Sequence, residues 1–173
     1  MNGVWQEPPP GRHTPELSVI LPVLNEATYI EGVVRHIVRT LEAEPIQYQL
    51  VLIENGSTDG TGDVLSRLAA QNQRIVMGVA PRRGWGAAIL TGYQLATGTY
   101  VAHMPSDGQI DPRVLPELLA VVRRGGVDIA KIKRVRRESW LRAAVSRSYN
   151  VLANILFRAA LADVNGCPKM YRA

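Results

Sequence analysis

Between residues 17 and 132, short apolar runs alternate with longer segments whose apolar residues recur every three or four positions. The runs are residues 17–21 (closed by Pro22), 50–53, 75–79, 100–104 and 127–132. Between them, residues 28–41 put Ile30, Val33, Val34, Ile37, Val38 and Leu41 on one helical stripe, and residues 61–73 do the same with Val64, Leu65, Leu68 and Ala69. Residues 86–96 read as a third helix. Pro112, tolerated in a first helical turn, opens a fourth that runs to about Val122. Residues 140–161 read as a long helix, and 169–172 as a short last segment before Ala173. Strands separated by helices form right-handed βαβ units and a largely parallel sheet. The expected fold class is α/β, an open, mostly parallel twisted sheet flanked by helices. Neither an internal repeat nor a second domain is visible. The expected organisation is a flexible Pro-rich tail over 1–16 and one domain over 17–173, truncated at its C-terminus.

Sheets of this kind bind ligands outside the carboxyl ends of their strands, and four strand ends carry polar clusters. The first, Pro22 to Glu26, offers an amide and a carboxylate to a ligand, or simply caps the next helix through Asn25 and Glu26. In the second, Glu54 to Thr61, Asp59 and Thr61 fit helix capping. Capping does not explain Glu54, a carboxylate placed directly after an apolar strand. The third, Arg82 to Ala88, is a glycine-rich turn entering a helix, either a phosphate cradle or a close-packed loop. Its spacing matches neither a Walker A loop nor the dinucleotide fingerprint. The fourth, His103 to Pro112, holds Asp107 and Gln109 two apart, oxygen donors suited to Mg2+ or Mn2+ with phosphates completing the shell. His103 reads as a core or strand residue, and Asp111 as a cap before Pro112.

Lys and Arg number 20 against 15 Asp and Glu, and the net charge of +5 implies an anionic partner. Lys131, Lys133, Arg134, Arg136, Arg137, Arg142 and Arg147 form a basic block, either a solvated face or a site for phosphates and lipid headgroups. Only Trp140 and Tyr149 are interleaved with it, too few aromatics to stack nucleic-acid bases, so nucleic acid is not expected. The single cysteine, Cys167, forms no intrachain disulfide, fits a reducing compartment and reads as a small structural thiol. Neither a signal-peptide core nor an apolar stretch of membrane-spanning length is present.

Four segments in order carry a resemblance: SVILPVLNE at 18–26, VLIENGSTDGT at 51–61, RRGWGAAILTGYQLATGTYV at 82–101 and VNGCPKMYR at 164–172. Together they resemble the family 2 inverting glycosyltransferases of GT-A fold, most of all the polyprenyl-phosphate (dolichyl-phosphate mannose or glucose type) synthases. The resemblance implies sugar transfer from a nucleoside diphosphate sugar to an acceptor, a polyprenyl phosphate or a glycan. Pro22, Asn25, Glu26, Glu54, Asn55 and Asp59 would surround the nucleoside. Asp107 and Gln109 would hold Mg2+ or Mn2+, and Asp107 and Asp163 would be catalytic. Arg134, Arg142 and Ser146 would bind the acceptor phosphate. It also implies a cytoplasmic protein, peripheral at the membrane face. The sequence departs from the family where its DADLQ motif stands: Pro105-Ser106-Asp107-Gly108-Gln109 lacks the first aspartate, which weakens the metal site. Glu54-Asn55 likewise replaces Asp-Asp. Two rival readings are a nucleotide-sugar-binding relative without catalysis, and a basic module for anionic surfaces.

Overall fold

The computed structural model describes residues 14–132, 148, 151–156 and 166–173. Chain order is β1 (Leu17–Val23), α1 (Ile30–Glu42), β2 (Tyr48–Glu54), α2 (Thr61–Gln71), β3 (Ile75–Val79), α3 (Trp85–Leu95), β4 (Tyr100–His103), α4 (Val114–Arg123), β5 (Ile129–Lys131) and β6 (Lys169–Arg172). They build one six-stranded sheet in the order β3-β2-β1-β4-β6-β5. The four strands from β3 to β4 are parallel, with Leu17 opposite both Tyr48 and Tyr100. β6 runs against both of its neighbours, with His103 opposite Lys169 and Lys131 opposite Lys169. The expected α/β class and mostly parallel sheet are therefore present, with a reversed strand slotted between β4 and β5.

Strand alternation sorts the core onto two faces. Leu17, Val19, Leu21 and Val23 pack with Ile37, Leu65, Leu118 and Met170, burying α1, α2 and α4 on one side. Ile20, Val51, Ile53 and Val101 meet Ala88, Ile89 and Tyr93 of α3 on the other. Leu17, Ile20, Leu50, Leu52 and Ile53 have no exposed surface, the condition for a central parallel strand and the reason these runs are continuously apolar.

β1 does not end at Pro22 but passes through it, and Pro22 lies opposite Ile53. The Ile20 carbonyl accepts the Met104 N–H at 3.1 Å, so Ile20 directs its backbone groups toward β4, and Pro22, two residues on, does the same. β4 has ended there at His103, so the N–H that proline lacks would have no ladder partner. The remaining carbonyl accepts the Ser106 hydroxyl at 2.7 Å. α4 starts at Val114, two residues after Pro112. Asp111 secures the entering turn by accepting the Arg113 N–H at 3.0 Å and pairing with its guanidinium. Glu16 is already fixed to the body, its N–H on the Gln47 carbonyl at 2.7 Å and its carboxylate on Arg123. Of the long helix expected over 140–161, residues 148 and 151–156 are described, and they are helical.

His103 closes β4 at 7% exposure, with Tyr171 stacked at 5.8 Å and the Tyr93 hydroxyl 3.3 Å from Nδ1. Burial, reinforced by the Lys169 charge, pushes its imidazole down to about 4. A base with a depressed folded pKa stabilises the fold above its unfolded value and loses that contribution as pH falls. Stability should therefore drop by on the order of 3 kcal/mol between about pH 6.5 and 4. Glu31 and Asp111 titrate near 2, below this window. Urea denaturation at pH 7 and pH 4.5 measures the drop, and His103→Gln should remove most of it; an unchanged drop would assign it elsewhere.

Candidate functional site

The loops after β1, β2 and β4 meet at the carboxyl end of the parallel strands, and hydrogen bonds from side chains to backbone lock them together. Asn25 sits in the left-handed region at φ 54°, which asparagine tolerates. Its N–H donates to Ser57 Oγ at 3.0 Å, and its Oδ1 accepts the Thr58 N–H at 2.8 Å. The Glu26 N–H donates to Thr61 Oγ1 at 2.9 Å, and the Ala27 N–H to Asp59 Oδ2 at 3.1 Å. Asp59 Oδ1 also takes the N–H and hydroxyl of Thr61, the hydroxyl at 2.6 Å, at the start of α2. The Thr61 hydroxyl above all, and then the N–H groups, hold the Asp59 carboxyl below its ordinary range.

Glu54 turns both oxygens back onto its own loop, accepting the N–H groups of Ser57 and Gly56. Burial pushes its carboxyl up, but those N–H donors outweigh burial and hold it down, so it is charged at neutral pH. Asn55 is 5% exposed and joins a third loop, its Oδ1 accepting the Gly84 N–H at 2.8 Å. Gly56 has φ 86°, and the Arg83 side chain lies over it, 3.5 Å from where a Cβ would project.

These loops frame an open cleft of about 430 Å3, lined by Pro22, Glu26 and Asn55 on one side and by Pro105, Ser106 and Asp107 on the other. Arg83, Gly84 and Trp85 close its third wall. They come from the glycine-rich turn whose sequence suggested a phosphate cradle, and Arg83 and Trp85 were not among the expected site residues. Asp107 is exposed, and its Oδ1 accepts the Gln109 N–H at 3.0 Å. Among the described residues, Glu26 Oε2 is the one buried side-chain oxygen without a hydrogen-bond partner. Burial pushes the Glu26 carboxyl up against hydrogen bonding from Ser106 and Tyr29, and the charges of Asp107 and Asp59 push it the same way.

Pro22, Glu26, Asn55 and Asp107 are thus brought to one cleft, while Asn25, Glu54 and Asp59 direct their acceptors into the loops that build it. Asp163, Arg134, Arg142 and Ser146 lie outside the described residues.

The model of glycosyl transferase family 2 matches residues 18–172, nearly the whole chain. The chain belongs to that family. Similar curated proteins include undecaprenyl-phosphate 4-deoxy-4-formamido-L-arabinose transferases. That of Serratia proteamaculans is 26% identical over 159 residues, 91% of this chain and 49% of the relative. That of Aeromonas hydrophila is 29% identical over 78% of this chain and 42% of the relative. The family 2 chain spans about half the length of the curated relatives it matches. Among solved structures, a mannosyltransferase of Pyrobaculum calidifontis in complex with GDP-Man and Mn2+ shares the fold at TM-score 0.62 and 21% identity, covering 92% of this chain and 45% of that one. Glucosyl-3-phosphoglycerate synthase of Mycobacterium tuberculosis with Mn2+ and UDP-glucose does so at TM-score 0.66 and 22% identity, covering 91% and 56%.

Hard divalent cations in nucleotide sites are held by one or two carboxylates, with substrate phosphates and water completing the shell. Asp107 meets the lower bound, with Oδ2 free of the Gln109 contact, and the Pro105 side chain brings no donor atom. Among the described residues, no group of three or more His, Cys, Asp or Glu gathers around a common point. The donor set therefore fits a cation that depends on the substrate's phosphates, and no cage built from protein alone.

Proposed function

We propose that this domain binds a nucleoside diphosphate sugar in the cleft and transfers the sugar, with inversion, to a polyprenyl phosphate at a membrane face. The observation that carries the binding step is Glu26 Oε2, a buried acceptor left without a donor beside Asp107 and Asn55. A buried carboxylate oxygen without a partner is costly, and a nucleoside hydroxyl or amino group supplies the missing donor. Family membership, and relatives named as undecaprenyl-phosphate sugar transferases, support the transfer and its acceptor.

The other loop residues build the frame. Asn25, Glu54 and Asp59 hold the β1 and β2 loops in register, and Asn55 fixes Gly84 and with it Arg83 and Trp85. Asp107, with Gln109, would hold Mg2+ or Mn2+, which when bound neutralises charge developing on the departing diphosphate. In the transfer, an acceptor phosphate oxygen forms a bond to the anomeric carbon from the face opposite the diphosphate, as the bond to the diphosphate oxygen breaks. A phosphate acceptor is anionic near neutral pH and requires no general base. Arg134, Arg142 and Ser146 would bind that phosphate; for a hydroxyl acceptor, Asp163 would serve as base.

A thermal-shift panel of UDP, GDP and their sugar conjugates, with and without Mn2+, tests the binding, because a ligand of the folded state raises the melting temperature. One nucleotide should stabilise the protein, more strongly with metal. A folded sample indifferent to every nucleotide would refute the proposal. The proline at 105 favours one rival, a relative that binds nucleotide without catalysis; stabilisation indifferent to Mn2+, with no sugar reaching undecaprenyl phosphate, would establish it.

Glu26→Gln should separate stability from function. An acid with a raised folded pKa stabilises the fold below its unfolded value and loses that contribution as pH rises. The glutamine variant should therefore match wild type in acid, melt higher at pH 7, and bind nucleotide more weakly. A variant that melts lower at pH 7, or binds nucleotide as tightly as wild type, would contradict this role for Glu26.

A further inference from the structure

The register of the antiparallel strands sets two lysines side by side. Lys131 closes β5 and lies opposite Lys169 of β6, which on its other flank lies opposite His103. The Ile132 N–H donates to the Pro168 carbonyl at 3.2 Å, and the Arg172 N–H to the Asp128 carbonyl at 3.1 Å. These bonds flank the pairs Lys131–Lys169 and Ile129–Tyr171 without joining them. Both are therefore non-hydrogen-bonded pairs, in which Cα atoms approach to about 4.5 Å and side chains run closest. Both lysines are half-buried. Like charges directly opposite each other weaken a sheet, and among the described residues Lys169 has no ion-pair partner.

Their place on the sheet indicates what they serve. Ile20 faces α3 and lies opposite His103, so His103, Lys169 and Lys131 make one row across β4, β6 and β5 on the α3 side. Because β4 and β5 both run against β6, His103 and Lys131 end their strands at the same edge of the sheet. The cleft opens at that edge, and Asp107 follows in the loop directly after β4. Neither this row nor the next, Val101, Tyr171 and Ile129, holds an acid. Burial pushes the His103 imidazole down, and the Lys169 charge adds to it. Two ammonium groups, each with three N–H donors, bring two positive charges to one point. A phosphate monoester, with close to two negative charges and three terminal oxygens, matches them; a single carboxylate neutralises one.

We propose that Lys131 and Lys169 form a phosphate-monoester site beside the cleft and distinct from it. The site stands on the paired lysines; only the source of the phosphate, the acceptor, rests on the transferase reading.

The test is titration calorimetry of the full chain with two probes, inorganic phosphate and the soluble prenyl ester citronellyl phosphate, each with and without UDP or GDP and Mg2+. Both probes should bind, displace one another, and be indifferent to nucleotide. Lys131→Met with Lys169→Met should weaken both by roughly tenfold per lysine, the worth of one hydrogen bond to a charged group. Nucleotide affinity should not change. Arg39→Met with Arg124→Met removes the same charge from exposed positions at α1 and the end of α4, and should leave phosphate binding as it is. In phosphate-free buffer the double lysine variant should melt no lower than wild type, because it relieves a like-charge pair. If it fails to fold, Lys131→Gln alone should still weaken both probes about tenfold. Equal binding by wild type and the lysine variants, or an equal loss in the arginine control, would overturn the site. Displacement of phosphate by nucleotide would assign the lysines to the donor cleft and overturn its separateness. Inorganic phosphate that binds where citronellyl phosphate does not would overturn the acceptor as source. Lysine-dependent phosphate binding in a chain that binds no nucleotide would leave the site standing and remove the transferase reading; nucleotide binding with lysine-independent phosphate binding would do the opposite.

Discussion

Gly98→Ala is expected to destabilise the fold by about 3 kcal/mol, combining overpacking with loss of a buried hydrogen bond. The turn into β4 crosses β1 so closely that a Cβ at position 98 would lie 2.6 Å from the Ser18 backbone nitrogen and 2.9 Å from its Oγ. Backbone in a central strand cannot rotate aside as a side chain tip can. Ser18 has no exposed surface, and its hydroxyl is the hub of the turn. It accepts the N–H groups of Gly98 and Thr97 at 2.9 and 3.2 Å and donates to Gln49 Oε1 at 2.7 Å. Moving residue 98 outward breaks that hub and slides β4 along β1. For a chain of this size each kcal/mol corresponds to roughly 2–4 °C, so the melting temperature should fall by about 6–12 °C. Gly32→Ala is the opposite-sign control: it lies inside α1 with nothing within 4 Å of its would-be Cβ, and alanine there should add about 0.5–1 kcal/mol. Melting curves that placed both variants on the same side of wild type would show that the close approach at Gly98 does not exist in solution.

The second large effect is on activity. Asp107→Asn keeps the size of the side chain and an oxygen for the Gln109 N–H, and removes the charge. If the cation at the diphosphate rests on this one carboxylate, its loss removes several kcal/mol of transition-state stabilisation, about 10²- to 10⁴-fold in kcat/KM. Melting temperature without ligand should hardly move, because Asp107 is exposed and its hydrogen bond among the described residues is to the Gln109 N–H of its own loop. The Mn2+-dependent part of the nucleotide thermal shift should vanish, while any metal-independent part survives. Retention of the Mn2+ increment would mean that the cation is held elsewhere.

The parallel half of the sheet was legible in the sequence because strands buried on both faces must be apolar throughout, and helices between them must carry one apolar stripe. β6 was not legible as a reversed strand. Lys-Met-Tyr-Arg shows one inward residue, Met170, and nothing in four residues tells which neighbour it pairs with or in which direction. At the cleft, residue type predicts how many hydrogen bonds a side chain accepts, and it is silent on who donates them. Glu54 looked free for a ligand because capping did not explain it, yet the N–H groups two and three residues on fill both of its oxygens. Glu26, whose sequence context also fitted capping, is the carboxylate that keeps one buried oxygen, Oε2, without a donor. Arg83 and Trp85 were passed over because the spacing of the turn matches neither a Walker A loop nor the dinucleotide fingerprint. What places them at the cleft is the Asn55 bond to Gly84, a contact between residues 29 apart.

The reversed strand has a consequence for how the protein is made. On a ribosome, β1 to β4 emerge in chain order and can pair as they appear, since each neighbour already exists. The outer flank of β4 pairs only with residues 169–172, which emerge after β5 and sit between it and β4. Until then β4 offers an open hydrogen-bonding edge to any other extended chain. A stall or cleavage anywhere between β5 and β6 would leave that edge permanently exposed, so the nascent protein has its greatest need of a chaperone after most of its core is already in place.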